Sequence, residues 1–198
     1  MVNTKKYIMI KRFIIFLGLI IIPLCSVAQF ILVPGGFTTV DKKDYVVIEH
    51  PGSKVELYNK LRSSLTSTFV SAKDVMSEME PDLISLHGIT SGIYFKHSNL
   101  QCRPEIHYKM NIYFKDGRIR FNTPQIIGEI GDEVAPLASY TIFAKKANMF
   151  DTTIRIFKKN GTPRLPQGIK AIENYFNNLV NELVRNLDNN GLSEDDNW

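Results

Sequence analysis

The stretch Ile106-His107-Tyr108-Lys109-Met110-Asn111-Ile112-Tyr113-Phe114-Lys115-Asp116-Gly117-Arg118-Ile119-Arg120-Phe121 decides the fold. From Ile106 to Phe114 every second residue is apolar, the period of a strand with one buried face. Asp116-Gly117 then reads as a two-residue type I′ turn, in which both positions take positive φ. That turn sets Lys115 opposite Arg118, Phe114 opposite Ile119, Tyr113 opposite Arg120 and Ile112 opposite Phe121. The apolar residues of both strands then share one face, and Lys109, Asn111, Tyr113, Arg120 and Asn122 share the other. Turn chemistry and side-chain period agree, so the sheet is expected to have one covered face and one wet face.

Working outward toward the amino terminus, Leu83 to about Thr90 reads as a strand. A turn at Glu80-Pro81-Asp82 and a strand around Asp74 to Met79 precede it, while His97 to Pro104 reads as loop. Ser53 and Glu56 form a capping box ahead of Leu57, Leu61, Leu65 and Phe69, whose i, i+4 spacing predicts a helix. The β-branched run Tyr45 to Glu49 supplies a first strand, stopped by Pro51-Gly52. Toward the carboxyl terminus, Gly168 opens a long helix carrying Ile169, Ile172, Phe176, Leu179, Leu183 and Leu187 on one stripe. That stripe is too short for a sustained heptad seam and reads as sheet-facing core.

The expected order is strand, helix, four strands, helix: an α+β domain over 44–187, with an antiparallel sheet and both helices on one face. Residues 131–167 form an insertion, in which Tyr140 to Ala144 and Thr153 to Phe157 are candidates for a further hairpin. An irregular lead-in over 29–43 is marked by Pro34-Gly35-Gly36. Residues 188–198 are polar and acidic, and the sequence predicts a disordered tail with a solvated Trp198.

Several of these residues resemble an exported bacterial family, domain of unknown function 4468, whose fold is like that of the TATA-binding protein. They are Leu57-Tyr58-Asn59 opening the first helix, Leu65 and Phe69 closing its stripe, and the hairpin Lys115-Asp116-Gly117-Arg118-Ile119-Arg120, together with the element order from Tyr45 to Leu187. Ser64 and Ile119 stand where that family carries a helical tryptophan and an aromatic. The resemblance implies a TBP-like sheet over most of the chain that follows the export signal. It implies no catalytic or ligand-binding residue, since none is established for the family, and the namesake's DNA binding does not follow from its fold.

The amino terminus carries an address. Lys5, Lys6, Lys11 and Arg12 precede an apolar run from Phe13 to Leu24, followed by the small residues Ser26-Val27-Ala28. This order predicts a cleavable signal peptide over 1–28, cut between Ala28 and Gln29, and a protein exported to the periplasm or cell envelope. Twelve residues, interrupted by Pro23, fall short of the ~20 a spanning helix needs, so no stable transmembrane anchor is expected. Lipidation at Cys25 is the lesser alternative, because Leu24 stands where a small residue is wanted.

The signal holds four of the 24 basic residues and none of the 20 acidic ones, which leaves a balanced mature chain. Nucleic acid is therefore not an expected partner, since binding it needs a basic surplus. Without Cys25 the only cysteine is Cys102, so an apolar core must hold the domain without an internal disulfide.

Candidates for chemistry are few. His97, Cys102, Glu105 and His107 are an imaginable metal set, but they lack the paired short spacings of structural zinc sites. A hydrolase built on Cys102 or a histidine (His50, His87, His97 or His107) has no Gly-x-Ser-x-Gly elbow or comparable motif behind it. No cofactor, metal or catalytic residue is assigned. Asp151-Thr152-Thr153 and Asn160-Gly161-Thr162 match short glycosylation motifs, a weak signal at three residues. The candidate binding residues are Lys109, Tyr113, Arg118 and Arg120 on the wet sheet face, with Tyr113 and Arg120 opposed as a cation–π pair.

The sequence thus reads as an exported, non-enzymatic binding or assembly module. Its expected partner is an envelope protein or a second copy meeting the open face, with an exported hydrolase as the alternative. Intact mass of the protein recovered from the envelope should place its amino terminus at Gln29; a mass retaining Phe13 to Leu24 would contradict cleavage.

Overall fold

A computed structural model describes residues 29–69, 71–97, 99–128, 130–133, 139–141 and 153–189. The expected signal peptide with Cys25 and Ala28, Asp151-Thr152, and the tail from 190 to Trp198 lie outside them. In chain order the strands and helices are β1 (Phe30–Val33), β2 (Gly36–Thr39), β3 (Tyr45–Glu49), α1 (Lys54–Thr68), α2 (Ala72–Val75), β4 (Met76–Met79) and β5 (Leu83–Ile89). Then come β6 (Phe95–His97), β7 (Leu100–Cys102), β8 (Pro104–Glu105), β9 (His107–Lys115), β10 (Arg118–Asn122) and β11 (Gln125–Ile126). Last are β12 (Gly131–Asp132), β13 (Tyr140–Thr141), β14 (Ile154–Arg155) and α3 (Pro166–Asn189).

The main sheet is antiparallel, in the order β3-β10-β9-β5-β4, with β11 extending the line of β10 along β9. Within this sheet β3, α1, the four strands β4, β5, β9 and β10, and then α3 follow in the predicted order, β11 being an additional strand, and the β9–β10 register is the predicted one. Tyr108, Met110, Ile112 and Phe114 on β9, with Ile119 and Phe121 on β10, are buried on one face. Both helices cover that face: Tyr58 of α1 meets Phe114 edge-on at 5.4 Å, and Phe176 of α3 meets Tyr108 at 5.0 Å. Each such side chain removed from water contributes about 1.5–3 kcal/mol.

Helix α1 starts where the capping box places it. Ser53 Oγ accepts from the Glu56 N–H at 3.3 Å. The Lys60 ammonium at 2.9 Å, and then the Ser53 backbone, hold the Glu56 carboxyl below its usual range. The helix buries Leu57, Tyr58, Leu61, Ser64 and Leu65. Helix α3 begins at Pro166, two residues before the expected Gly168, because proline suits a first helical turn that needs no N–H. It runs on through Asp188 to Asn189, so the helix, not the tail, owns the residues just after Leu187.

Four other expectations are corrected. The lead-in at 29–43 is not irregular: Pro34-Gly35 turns β1 back onto β2, with Gly36 at φ +118. Helix α3 caps this hairpin's outer strand, Asn177 bonding both the N–H and C=O of Phe30 and Glu173 accepting from Leu32 N at 2.7 Å. His97 to Pro104 is not all loop, since β6 pairs antiparallel with β7. Asp74 and Val75 belong to the single turn α2 rather than to strand β4. Tyr140-Thr141 and Ile154-Arg155 do pair, but in parallel, so they form no hairpin.

The central turn also differs from type I′. Gly117 has φ +74, while Asp116 keeps a negative φ; its carboxylate accepts from the Lys54 N–H at 2.8 Å. Gly117 N–H donates to Gly52 O and its carbonyl accepts from His50 N–H, tying the turn to the start of α1. Gly88 opposite Tyr108 is a second obligatory glycine, since a Cβ there would lie 2.6 Å from the tyrosine hydroxyl.

Nothing crowds the position a Gly117 side chain would take, so its φ alone decides what is tolerated. Gly117→Val should cost about 1–3 kcal/mol through backbone strain, and Gly117→Asn, which accepts positive φ, much less. Equal urea midpoints for the two variants would refute the turn.

Candidate functional site

The face of the main sheet away from the helices is built by the residues that alternate with the core. Across the middle of it run Met79, Leu83, Tyr113, Arg120 and Val47, one from each of β4, β5, β9, β10 and β3 in register. On one side of this row lie Lys115, Arg118 and Glu49. On the other lie Ser77, Ser85 and Asn111, then His87, Lys109 and Gln125.

The predicted pair of Tyr113 and Arg120 forms, with the guanidinium 4.6 Å from the ring centroid. A second ring was missed by the sequence reading: Tyr45 of β3 lies 5.0 Å from the same guanidinium. Arg120 Nε donates to Asn122 Oδ1 at 3.1 Å, which fixes the side chain between the tyrosines. Two rings sharing one guanidinium, with that bond, give a pre-organised cation whose remaining N–H donors are not used by any bond among the described residues. Arg118 is exposed opposite Lys115 and Glu49. Lys109 is on the same face but further along β9, opposite His87 and Gln125, so it does not join Arg120 directly.

Beside the arginine, Ser85 Oγ is buried and donates to Asn111 Oδ1 at 2.8 Å, with His87 Nε2 at 3.3 Å. The Ser85–Asn111 bond ties β5 to β9 on this face. Apolar side chains are exposed at both ends of the face, Met79 at 63% and Ile89 at 54%.

The residues weighed for metal or hydrolytic chemistry are dispersed. Cys102 is buried opposite Phe95, whereas His97 pairs with Leu100 at the other end of the same hairpin. His107 reaches only Glu105, at 3.5 Å. Among the described residues no three His, Cys, Asp or Glu side chains come together as metal ligands. The Cys102 thiol lies against Tyr140, which burial, and then the Asp132 carboxylate at 2.5 Å, push well above the usual phenol range. Asp132 also accepts from Arg103 N–H at 2.9 Å, and this buried network anchors the insertion to the core. His50 is buried with Nδ1 at 2.9 Å from Pro51 O and Nε2 at 3.0 Å from Asp188, where it ties the end of α3 to β3. The Asn160 amide oxygen accepts from Thr162 N–H and Oγ1, holding its own turn.

Comparison with known proteins adds two solved structures. The chain is similar to a TBP-like protein from Parabacteroides distasonis ATCC 8503, at 12% identity over 73% of this chain and 91% of that one, with a TM-score of 0.46. It is also similar to a DUF4468 family protein from Bacteroides ovatus ATCC 8483, at 13% identity over 78% and 88%, with a TM-score of 0.45. Both proteins are bacterial. No family model and no curated protein matches the chain. Neither similarity brings a functional residue with it. Among the described residues no helix is long and apolar enough to cross a membrane.

Proposed function

We propose that this protein is an exported, non-enzymatic binding module of the cell envelope that acts through the open face of its sheet. The observation that carries this reading is Arg120, fixed between Tyr45 and Tyr113 on a face that both helices leave uncovered. A stacked, pre-positioned guanidinium loses little side-chain freedom when it binds an anion. The charge distribution supports the same reading. The main-sheet strands place Lys109, Lys115, Arg118 and Arg120 on this face against a single carboxylate, Glu49, although the chain without its signal is balanced. Burial of Cys102 and the engagement of His50 by Pro51 and Asp188 favour packing roles for the residues an alternative hydrolase would use.

Alanine variants of Lys109, Tyr113, Arg118 and Arg120 should keep native dichroism and each weaken capture of the partner from envelope fractions by a partial, graded amount. Unchanged capture by Arg118→Glu/Arg120→Glu would remove the open face from the function. Loss of an activity at one residue alone would favour an enzyme.

A further inference from the structure

Strand β3 is the last strand on its side of the main sheet. Asp44 O accepts from Thr123 N–H at 2.8 Å and His50 N–H donates to Gly117 O at 3.0 Å, so Val46 and Ile48 between them turn their peptide groups to β10. These directions alternate along an antiparallel strand, and the N–H and C=O of Tyr45, Val47 and Glu49 therefore point away from the sheet. Among the described residues no hydrogen bond reaches them. The neighbouring turn does not use them, since Thr39 and Lys43 bond each other. A cleft of about 430 Å³ lies between that turn and Tyr45–Val47. Nor is the edge guarded in the usual ways: Tyr45-Val46-Val47-Ile48-Glu49 holds no proline or lysine, and its register with β10 has no bulge. At the opposite edge β4 has four residues, set between the helical turn α2 and Pro81.

We infer that β3 pairs antiparallel with β3 of a second copy about a two-fold axis at Val47, joining two main sheets edge to edge. Pairing at this edge is independent of what the open face binds. The unused groups are self-complementary. They are centred on Val47, so the axis sets Val47 against the partner's Val47 and Tyr45 against the partner's Glu49, and each outward N–H meets an outward C=O. The incoming strand occupies the cleft beside Tyr45–Val47, where Val46 is half-buried. The side chains agree with the backbone. Tyr45, Val47 and Glu49 alternate with Val46 and Ile48 and lie on the open-face side of the strand. Glu49, the one carboxylate that the main-sheet strands place there, therefore comes opposite the partner's Tyr45. In each copy that ring lies 5.0 Å from the Arg120 guanidinium. Diagonal neighbours across a strand pair are within reach of long side chains, so each copy offers a carboxylate to the other's stacked arginine. An isologous pair of this kind closes on itself and leaves neither β3 edge exposed.

Sedimentation of the chain from Gln29 onward should give twice the monomer mass. Val47→Lys sets two ammonium groups opposite each other across the axis and should leave monomer at every concentration, with unchanged far-ultraviolet dichroism. Ile89→Lys, at an exposed position at the far end of β5, should leave the dimer intact. Amide hydrogen exchange of the parent protein gives a reading that needs no variant. Tyr45, Val47 and Glu49 should be protected in the dimer and lose that protection when it dissociates, while Val46 and Ile48, bonded to β10, keep theirs. A parent protein that is monomeric at every concentration overturns the inference, as does a dimer that survives Val47→Lys. Rapid exchange at Tyr45, Val47 and Glu49 within a dimer overturns it too, by assigning assembly to another surface. Loss of the dimer in Ile89→Lys moves the contact to the sheet face and has the same consequence.

Discussion

Everything else in the molecule depends on the register of β9 against β10. Because side chains alternate along a strand, one choice of partner assigns every residue of the hairpin to a face. Phe114 opposite Ile119 and Ile112 opposite Phe121 build the floor on which both helices rest. The turn that sets the register is itself held from outside: Lys54 N–H bonds Asp116, and the Gly117 peptide bonds Gly52 and His50. His50 in turn bonds Asp188, so one corner joins the hairpin, the start of α1 and the end of α3.

That register also divides the labour of the two faces. The helix side is filled by fully buried side chains such as Tyr58, Met110 and Phe176. The other side carries what that core has no room for: a stacked arginine, amides, lysines and exposed methionine and isoleucine. Exposed cation–π contacts of this kind stabilise a fold only by about 0.5–1 kcal/mol, so Arg120 is better understood by what it presents than by what it holds together. An open antiparallel sheet with a wet face is a common solution to packing; on this one Lys109, Lys115, Arg118 and Arg120 face a single carboxylate, Glu49.

Local patterns made much of this legible. Alternation from Ile106 to Phe121 with Asp116-Gly117 gave the register, and Ser53-x-x-Glu56 with the Leu57 to Phe69 stripe gave α1. The turn type did not follow: only Gly117 takes positive φ, and Asp116 bonds a distant partner, Lys54, that no short-range rule contains. Tyr45 escaped for the same reason: it pairs with Asn122, and Val47 with Arg120, so its place beside the guanidinium follows only once β3 is known to lie next to β10. The β1–β2 hairpin was hidden because Phe30 to Val33 is a short apolar run, and its stability comes from Asn177 and Glu173 on the last helix. The direction of pairing between β13 and β14 is likewise a tertiary property, set by neither segment alone.

The division of the sheet into a helix-covered face and an open face is tested most directly by two adjacent residues, Phe121 and Asn122. Phe121 is buried against the helices, whereas Asn122 is on the open face and accepts from Arg120 Nε. In urea melts Phe121→Asp should lose about 4 kcal/mol or more, because it buries an unpaired charge. Asn122→Asp keeps the acceptor for Arg120 and should stay within ~1 kcal/mol of the parent. Similar losses for the two variants would contradict the assigned faces.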